Sequence, residues 1–382
     1  MWMQRWVAVA KKHAGQALLT TVLLVGQASA AEIVVAHIAP FTGRAASDAR
    51  DLNVGMKAHF SRLNAQGGVA GQAVRLLSFD DRYEGPEFAR QLDEAVRQRA
   101  VAVLCPLGIS AMRTMLDDAL LDKHDTVVIN AIPGATVFRS PGHPRLFHVR
   151  ASDRQQIEKI FRLAQTLSTK RIQVVIQDKK AGEADVEAAR AKVPDGGSLQ
   201  ITIREVELQP GALALAATDL AKTSFDAVLV LGSPPYMAEA IHELRKAGVS
   251  QMVYTLSYVP AGLVVKLAGA AGSRGVGIAQ TYPSPTALTM PLHREFHNAM
   301  KAIAPEITAY SSFHLEGYVS ARVLTEALKR TKIPATARSI ATTLRTMGAI
   351  NIGGFLVDFS KGNAGSSYVD IAAISRTGQL SY

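Results

Sequence analysis

The chain has very little of three things: one cysteine in 382 residues, 6% aromatic residues and 19% charged residues. A single cysteine, Cys105, excludes an internal disulfide whatever the redox compartment. It sits in Val101-Ala102-Val103-Leu104-Cys105, where a thiol is expected to be buried and inert. The few aromatics do not interleave with basic residues, and no basic run tracks a phosphate backbone. Nucleic acid is therefore not an expected partner, despite a net charge of +10. Enzyme signatures are missing too. There is no GxxxxGK[ST] loop, and Gly275-Val276-Gly277 lacks the third glycine of a dinucleotide fingerprint. Gly108-Ile109-Ser110-Ala111-Met112 lacks the closing glycine of a nucleophile elbow. His293 and His297 have a zinc-like i, i+4 spacing but no third ligand nearby. The Asp80-Asp81 doublet ends a strand and reads as a turn cap that orients a neighbouring loop. No catalytic residue, cofactor or metal is expected.

What the chain does have begins with a leader. Arg5, Lys11 and Lys12 precede an apolar stretch at 17–25, followed by Ala28-Ser29-Ala30. That is the pattern of a secretory signal peptide, residues 1–30, cut after Ala30. The stretch is too short to span a bilayer comfortably. With no cysteine at the cut to carry a lipid, the mature chain is expected free in the periplasm and not membrane-inserted.

From residue 32 strand and helix alternate. Strands are expected at 33–38, 74–79, 101–105 and 126–130, with amphipathic helices between them. Leu52, Met56, Phe60 and Leu63 mark the first helix, closed by Gly67-Gly68. Such repeats give a parallel sheet covered on both faces. After Arg150 the alternation restarts, with strands at 172–176, 201–206, 227–231, 252–256 and 275–280. Helices at 291–303 and 313–329 follow, then a two-strand finish at 355–359 and 368–374. The fold class expected is α/β: two Rossmann-like lobes with parallel central sheets, joined by a three-stranded hinge. Crossings are expected near 150–153, 281–285 and 353–359. Lobe 1 is then 31–150 plus 282–354, and lobe 2 is 151–281 plus 355–382. Three crossings make a hinge that can open and close.

Ligands of open parallel sheets bind beyond the carboxyl ends of the strands. Three first-lobe loops leave strands there: Phe41-Thr42-Gly43, Leu107 through Ser110, and Ala131 through Thr136. Ser110 opens a helix, where it can be a plain N-cap, a ligand contact or both. Gly134 is either a turn glycine or a point of close backbone approach.

These residues carry a resemblance. The order of the Pro-Phe-Thr-Gly loop, Leu63-Asn64-Ala65-Gln66-Gly67-Gly68-Val69, Asp80-Asp81, Phe147-His148-Val149-Arg150-Ala151-Ser152, Leu315-Glu316-Gly317-Tyr318 and Gly353-Gly354-Phe355 is similar to the leucine/isoleucine/valine-binding class of ABC-transporter substrate-binding proteins, with the type I periplasmic binding fold. The resemblance runs from residue 32 to the C-terminus. It implies a small polar ligand, an amino acid or related molecule, between the lobes and an ABC permease as partner. It puts ligand contacts on Phe41, Thr42, Ile109, Ser110, Pro133, Gly134 and Ala135, and on Asp153, Ala181, Ser233 and Ser257 across the cleft. The chain departs from the class at Ala181, where an aromatic is usual, and around Ser257, where hydroxyls replace a carboxylate. Asp153 is then the carboxylate that can meet an ammonium, though it also suits the N-cap of a helix at 154–167. A ligand sensor that signals to a receptor or regulator is the alternative on the same fold.

Overall fold

The computed structural model describes residues 32–43, 45–194 and 198–382. The leader at 1–30 lies outside them. The first lobe starts with β1 (Ile33–Ala39), α1 (Ala46–Ala65), β2 (Val74–Asp80), α2 (Gly85–Arg97), β3 (Ala102–Leu104), α3 (Ile109–Asp117), the short α4 (Leu120–Lys123), β4 (Val127–Ile129) and β5 (Leu146–Phe147). Every residue of β1 is buried, as its unbroken apolar run requires. Proline sits in the first turn of α2, where its missing N–H is not needed.

The second lobe repeats the plan with α5 (Asp153–Thr166), β6 (Arg171–Ile176), α6 (Lys179–Arg190), β7 (Gln200–Glu205), α7 (Ala212–Ala221), β8 (Ala227–Leu231), α8 (Pro234–Lys246), β9 (Met252–Thr255), α9 (Ala261–Ser273) and β10 (Gly277–Gln280). The chain then returns through α10 (Pro291–Ile303), α11 (Ser312–Arg330), α12 (Ala337–Thr346) and the hairpin β11 (Ile350–Ile352) and β12 (Phe355–Val357). It ends in β13 (Asp370–Ile374) and β14 (Leu380–Ser381).

The first sheet runs β2-β1-β3-β4-β5, all parallel, and the second has β7-β6-β8-β9-β10 in the equivalent order. β13 and β14 extend the second sheet antiparallel. Apolar side chains fill both faces of each sheet. In the first lobe α1, α10, α11 and α12 cover one face, while α2 and α3 cover the other. In the second lobe α7, α8 and α9 cover one face, and α5 and α6 the other. The expected α/β architecture of two parallel-sheet lobes is present.

Packing moves one expected boundary. Phe355, Val357 and Phe359 are buried in the first-lobe core, while Leu356 between them is 58% exposed. That alternation belongs to a strand with one face on the first lobe. Gly353 and Gly354, both at positive φ, form the turn of the β11–β12 hairpin and not a crossing. The segment stays with the first lobe: His148 N–H donates to Asn363 O (2.7 Å), and Gly365 N–H donates to His148 O (2.8 Å). The last passage therefore falls between Ser366 and Asp370, later than the expected 353–359. Helices α9 and α12 were not expected. The first is rich in Ala and Gly and breaks at Gly269 (φ 71°), so its apolar period is faint. The second carries its signal in a capping box, with Thr336 as N-cap and Ser339 at N3.

The close crossing of α1 and α11 rests on two glycines. A Cβ on Gly55 would lie 1.9 Å from His314 O, and one on Gly317 would lie 2.1 Å from Leu52 O. The backbones meet where no side chain fits. Gly317→Ala is expected to destabilise the chain by about 1–3 kcal/mol, the usual cost of overpacking. Urea denaturation checks this; an unchanged midpoint would mean that the helices do not touch so closely.

Candidate functional site

The lobes meet over a buried polar network built around the first crossing. Arg150, just past β5, lies 3.4 Å from the Glu316 carboxylate on α11, and their side chains are 1% and 2% exposed. Asn130, after β4, knits the pair to the backbone. Its Oδ1 accepts the N–H groups of Val149 (3.1 Å) and Arg150 (3.0 Å). Its amide nitrogen lies 2.9 Å from Glu316 Oε1, 2.9 Å from Ser320 Oγ and 3.2 Å from Tyr282 Oη. Asn130 adopts φ +62°, a left-handed conformation that asparagine tolerates better than most side chains. From the second lobe, Ser257 Oγ accepts a hydrogen bond from Arg150 Nη2, and the Tyr258 ring lies 4.7 Å below the guanidinium. Burial raises the Glu316 carboxyl above its ordinary value, opposed by Arg150 and Asn130.

Next to this network the Pro133-Gly134-Ala135 loop is buried against the second lobe. Gly134 N–H donates to Tyr258 Oη (2.8 Å), Tyr258 donates to Asp153 Oδ1, and Asp153 N–H donates to Gly134 O (3.0 Å). One residue on, Thr136 N–H donates to Asp185 Oδ2 (2.9 Å) and its hydroxyl to the other oxygen. Farther out, Arg113 and Asp178 pair at 3.0 Å. Arg139 Nη1 donates to Arg150 O (3.1 Å), while its Nε and Nη2 are buried without a partner among the described residues. Loss of hydration raises the Asp153 carboxyl to about 6; the neighbouring Asp185 adds to this, and the Tyr258 hydroxyl, Arg139 and Arg150 oppose it.

The other expected residues sit at strand ends. Phe41 and Thr42 follow β1 and are held by Asp80, whose carboxylate accepts Phe41 N–H (2.9 Å) and the Thr42 hydroxyl (2.7 Å). Ile109 and Ser110 open α3 after β3. Gly108, at φ 126°, takes the N-cap position, so Ser110 is not the cap. The first α3 backbone bond is Met112 N–H to Gly108 O (3.2 Å), which leaves the Ser110 and Ala111 amides at the open end of the helix. In the second lobe Ala181 lies in the first turn of α6, and Ser233 precedes α8 with its N–H donated to Gln177 Oε1 (2.8 Å). Asp153 is the first residue of α5, and Ser152 caps that helix with Gln155. The cap reading of Asp153 is thereby corrected: its carboxylate faces Tyr258.

The structure thus brings Gly134 against Asp153, and Ser257 against Arg150. Phe41, Thr42, Ile109, Ser110, Ala181 and Ser233 line the strand ends and, among the described residues, make no hydrogen bond across the seam. Sequence reasoning did not assign Arg139, Arg150, Tyr258, Asp185, Asn130 or Glu316 to the site. A charged residue closing the apolar phrase Leu146-Phe147-His148-Val149 was a signal for Arg150, because a buried cation needs a partner. His293 and His297 serve local structure: His293 Nδ1 accepts Met290 N–H (3.3 Å), and His297 Nε2 lies 2.7 Å from Pro285 O. Among the described residues no group of three or more metal-ligating side chains is found, and no helix is long and apolar enough to cross a membrane. Cys105 is buried, and loss of hydration pushes its thiol up to about 12.

Two duplicated parallel sheets whose loop ends face one another across a polar seam define a two-lobed solute-binding protein. The chain belongs to the periplasmic binding protein family, whose profile matches residues 32–379. It is similar to an extracellular ligand-binding receptor from Verminephrobacter eiseniae, with 46% identity, a TM-score of 0.88, and 92% of this chain and 100% of that chain covered. It is also similar to a substrate-binding periplasmic protein from Ralstonia solanacearum, with 26% identity, a TM-score of 0.82, and 91% and 99% covered. A branched-chain amino acid transporter substrate binding protein from Streptococcus pneumoniae, in complex with isoleucine, shares the fold at 16% identity, with a TM-score of 0.79 and 92% and 98% covered. No curated protein is significantly similar to the chain.

Two experiments probe the network. Removing one member of a buried ion pair costs about 3–5 kcal/mol, because the other charge is left alone. Glu316→Gln and Arg150→Met should each lose stability on that scale, and the double variant less than their sum; strict additivity in a double-mutant cycle would mean that the pair is uncoupled. For Asp153 the sign follows from its raised value. Ionising it costs more in the fold than in the unfolded chain, so stability falls as pH rises through about 4 to about 6 and stays lower above that. Asp153→Asn keeps an oxygen for the Tyr258 hydroxyl and removes the charge. Its melting temperature should exceed the parent's at pH 8, with the margin shrinking at pH 4.

Proposed function

We propose that this chain is a periplasmic solute-binding protein that closes its lobes on a small polar molecule and presents it to an ABC permease. Family membership supports the class. The duplicated strand order supports the location: in each sheet the order of the strands reverses between the first and third, β1/β3 and β6/β8, and open α/β sheets bind ligands outside the carboxyl ends at such points. Phe41, Thr42, Ile109 and Ser110 flank the first reversal, and Ala181 and Ser233 flank the second. Pro133, Gly134, Ala135, Asp153 and Ser257 complete the proposed contacts.

The observation that carries the reading is the seam itself. Gly134 N–H, the Asp153 carboxyl, the Tyr258 hydroxyl and the Arg139 guanidinium meet there from both lobes. Arg139 keeps two buried N–H-bearing nitrogens without a partner among the described residues. Buried donors of this kind are normally satisfied, and a ligand oxygen is a partner of the right chemistry. Apolar ligands would leave them unpaired, so the reading favours a ligand with a carboxylate or other oxygen acceptor. The seam also holds carboxylates, so an amino acid or a related small organic acid fits this chemistry. A signalling role has one support: the 46%-identical protein is described as an extracellular ligand-binding receptor.

Mass spectrometry of the natively purified, then denatured protein should release a stoichiometric small molecule bearing such an acceptor. Calorimetry with that molecule, and with isoleucine as a probe, should show one site per chain. A preparation that releases nothing and binds no member of an amino-acid and organic-acid panel at any pH overturns the reading.

A further inference from the structure

Gly134, Tyr258 and Asp153 satisfy one another across the seam. The Tyr258 hydroxyl accepts from Gly134 N–H at 2.8 Å and donates to Asp153, so this one oxygen joins a first-lobe loop to the second lobe. The Arg150 guanidinium lies 4.7 Å over its ring and fixes the side chain from above. The fit leaves no room for a side chain on the loop: a Cβ on Gly134 would lie 2.5 Å from Asp153 Oδ1, 2.6 Å from Tyr258 Oη and 3.3 Å from Arg139 Nη2. Thr136 with Asp185, and Arg113 with Asp178, continue the contact outward.

We propose that Tyr258 is a built-in competitor for the ligand. Its hydroxyl takes the same Gly134 amide and the same Asp153 oxygen that a bound molecule would use, so binding proceeds by exchange and Tyr258 sets which ligands succeed. A ligand that displaces it has to offer, close together, an oxygen that accepts from Gly134 and a donor that reaches Asp153. A hydroxyl does both, and so does a carboxylate beside an ammonium or hydroxyl. Molecules with an acceptor alone leave Asp153 unpaired and are disfavoured. The proposal rests on the reading of the seam as the ligand cleft, but its main consequence is measurable without any ligand. The contact holds the lobes together on its own, and removing it shifts the balance between closed and open forms.

The test places spin labels on Ser61→Cys in the first lobe and Lys222→Cys in the second, both exposed. Native Cys105 is buried and its thiol is held protonated, so labelling is selective. Pulsed dipolar spectroscopy then reads the interlobe distance of the ligand-free, full-length mature chain. Loss of a hydrogen bond to a charged group changes an equilibrium by roughly tenfold or more, so Tyr258→Phe should lower the closed-to-open ratio by about that factor. Gly134→Ala, which wedges the same contact from the other lobe, should do likewise and covers the case in which the first variant folds poorly. An unchanged distance distribution in whichever variant folds overturns the proposal. In the calorimetric arm with isoleucine as probe, tighter binding by Tyr258→Phe supports competition, while weaker binding makes Tyr258 an ordinary contact and overturns it. If no small molecule binds either protein, the function reading fails while the distance result still stands.

Discussion

A guanidinium and a carboxylate, both withdrawn from water at the point where the chain first passes between lobes, set the terms for the rest of the molecule. Neither Arg150 nor Glu316 can be left alone in that environment without a cost of several kcal/mol. The surrounding polar groups follow from this. Asn130 supplies both an acceptor for the crossing backbone and a donor for Glu316, Ser257 reaches in from the second lobe, and the Tyr258 ring covers the cation. A cluster of this kind adds little net stability compared with apolar packing, but it tolerates few alternative arrangements. Its effect is to fix the geometry of the crossing, and with it the position of the Gly134 loop and of Asp153.

The lobes reuse one plan with different loops. Each has the same strand order, so each offers the same reversal point, and the second faces the first across the seam. The chemistry differs between the two sides. The first lobe contributes backbone amides from a glycine loop and an open helix end, together with Arg139. The second contributes hydroxyls and carboxylates on Tyr258, Ser257, Asp153 and Asp185. Most of the donors come from the first lobe and most of the acceptors from the second, with Asp153 N–H to Gly134 O running the other way.

Much of the architecture was legible because buried strands and amphipathic helices write their periods plainly, as β1 and α1 do. The segment at 353–359 reads as a lobe crossing because Gly353-Gly354 marks a turn equally well at a lobe boundary or inside a lobe. What separates the two is which core the side chains of Phe355 and Val357 enter, and that is a tertiary fact. Helix α9 was missed because Ala and Gly carry almost no periodic signal. In the site, strand-end loops could be listed in advance from topology alone. The Arg150 and Glu316 pairing could not, since the two residues are 166 positions apart in the chain. Asp153 was identified as the carboxylate of interest, but its true neighbour, Tyr258, was a plain hydroxyl in the sequence with nothing to mark its reach.

The late return of the chain to the first lobe has a consequence for how the protein is made. The face of the first sheet covered by α1 also needs α10, α11, α12 and the β11–β12 hairpin, and the second sheet takes its last two strands from the C-terminus. The core under α1 and the far edge of the second sheet cannot close until these late segments have been made, whereas the other face of the first sheet is built from residues 34–146 alone. Glu316, the partner that Arg150 requires, is likewise translated long after it. Contacts between segments this far apart in the chain form slowly, so completion of the first lobe waits on its last helices. A lesion in residues 312–381 is therefore felt in both lobes, although most of the second lobe is built from residues 153–280.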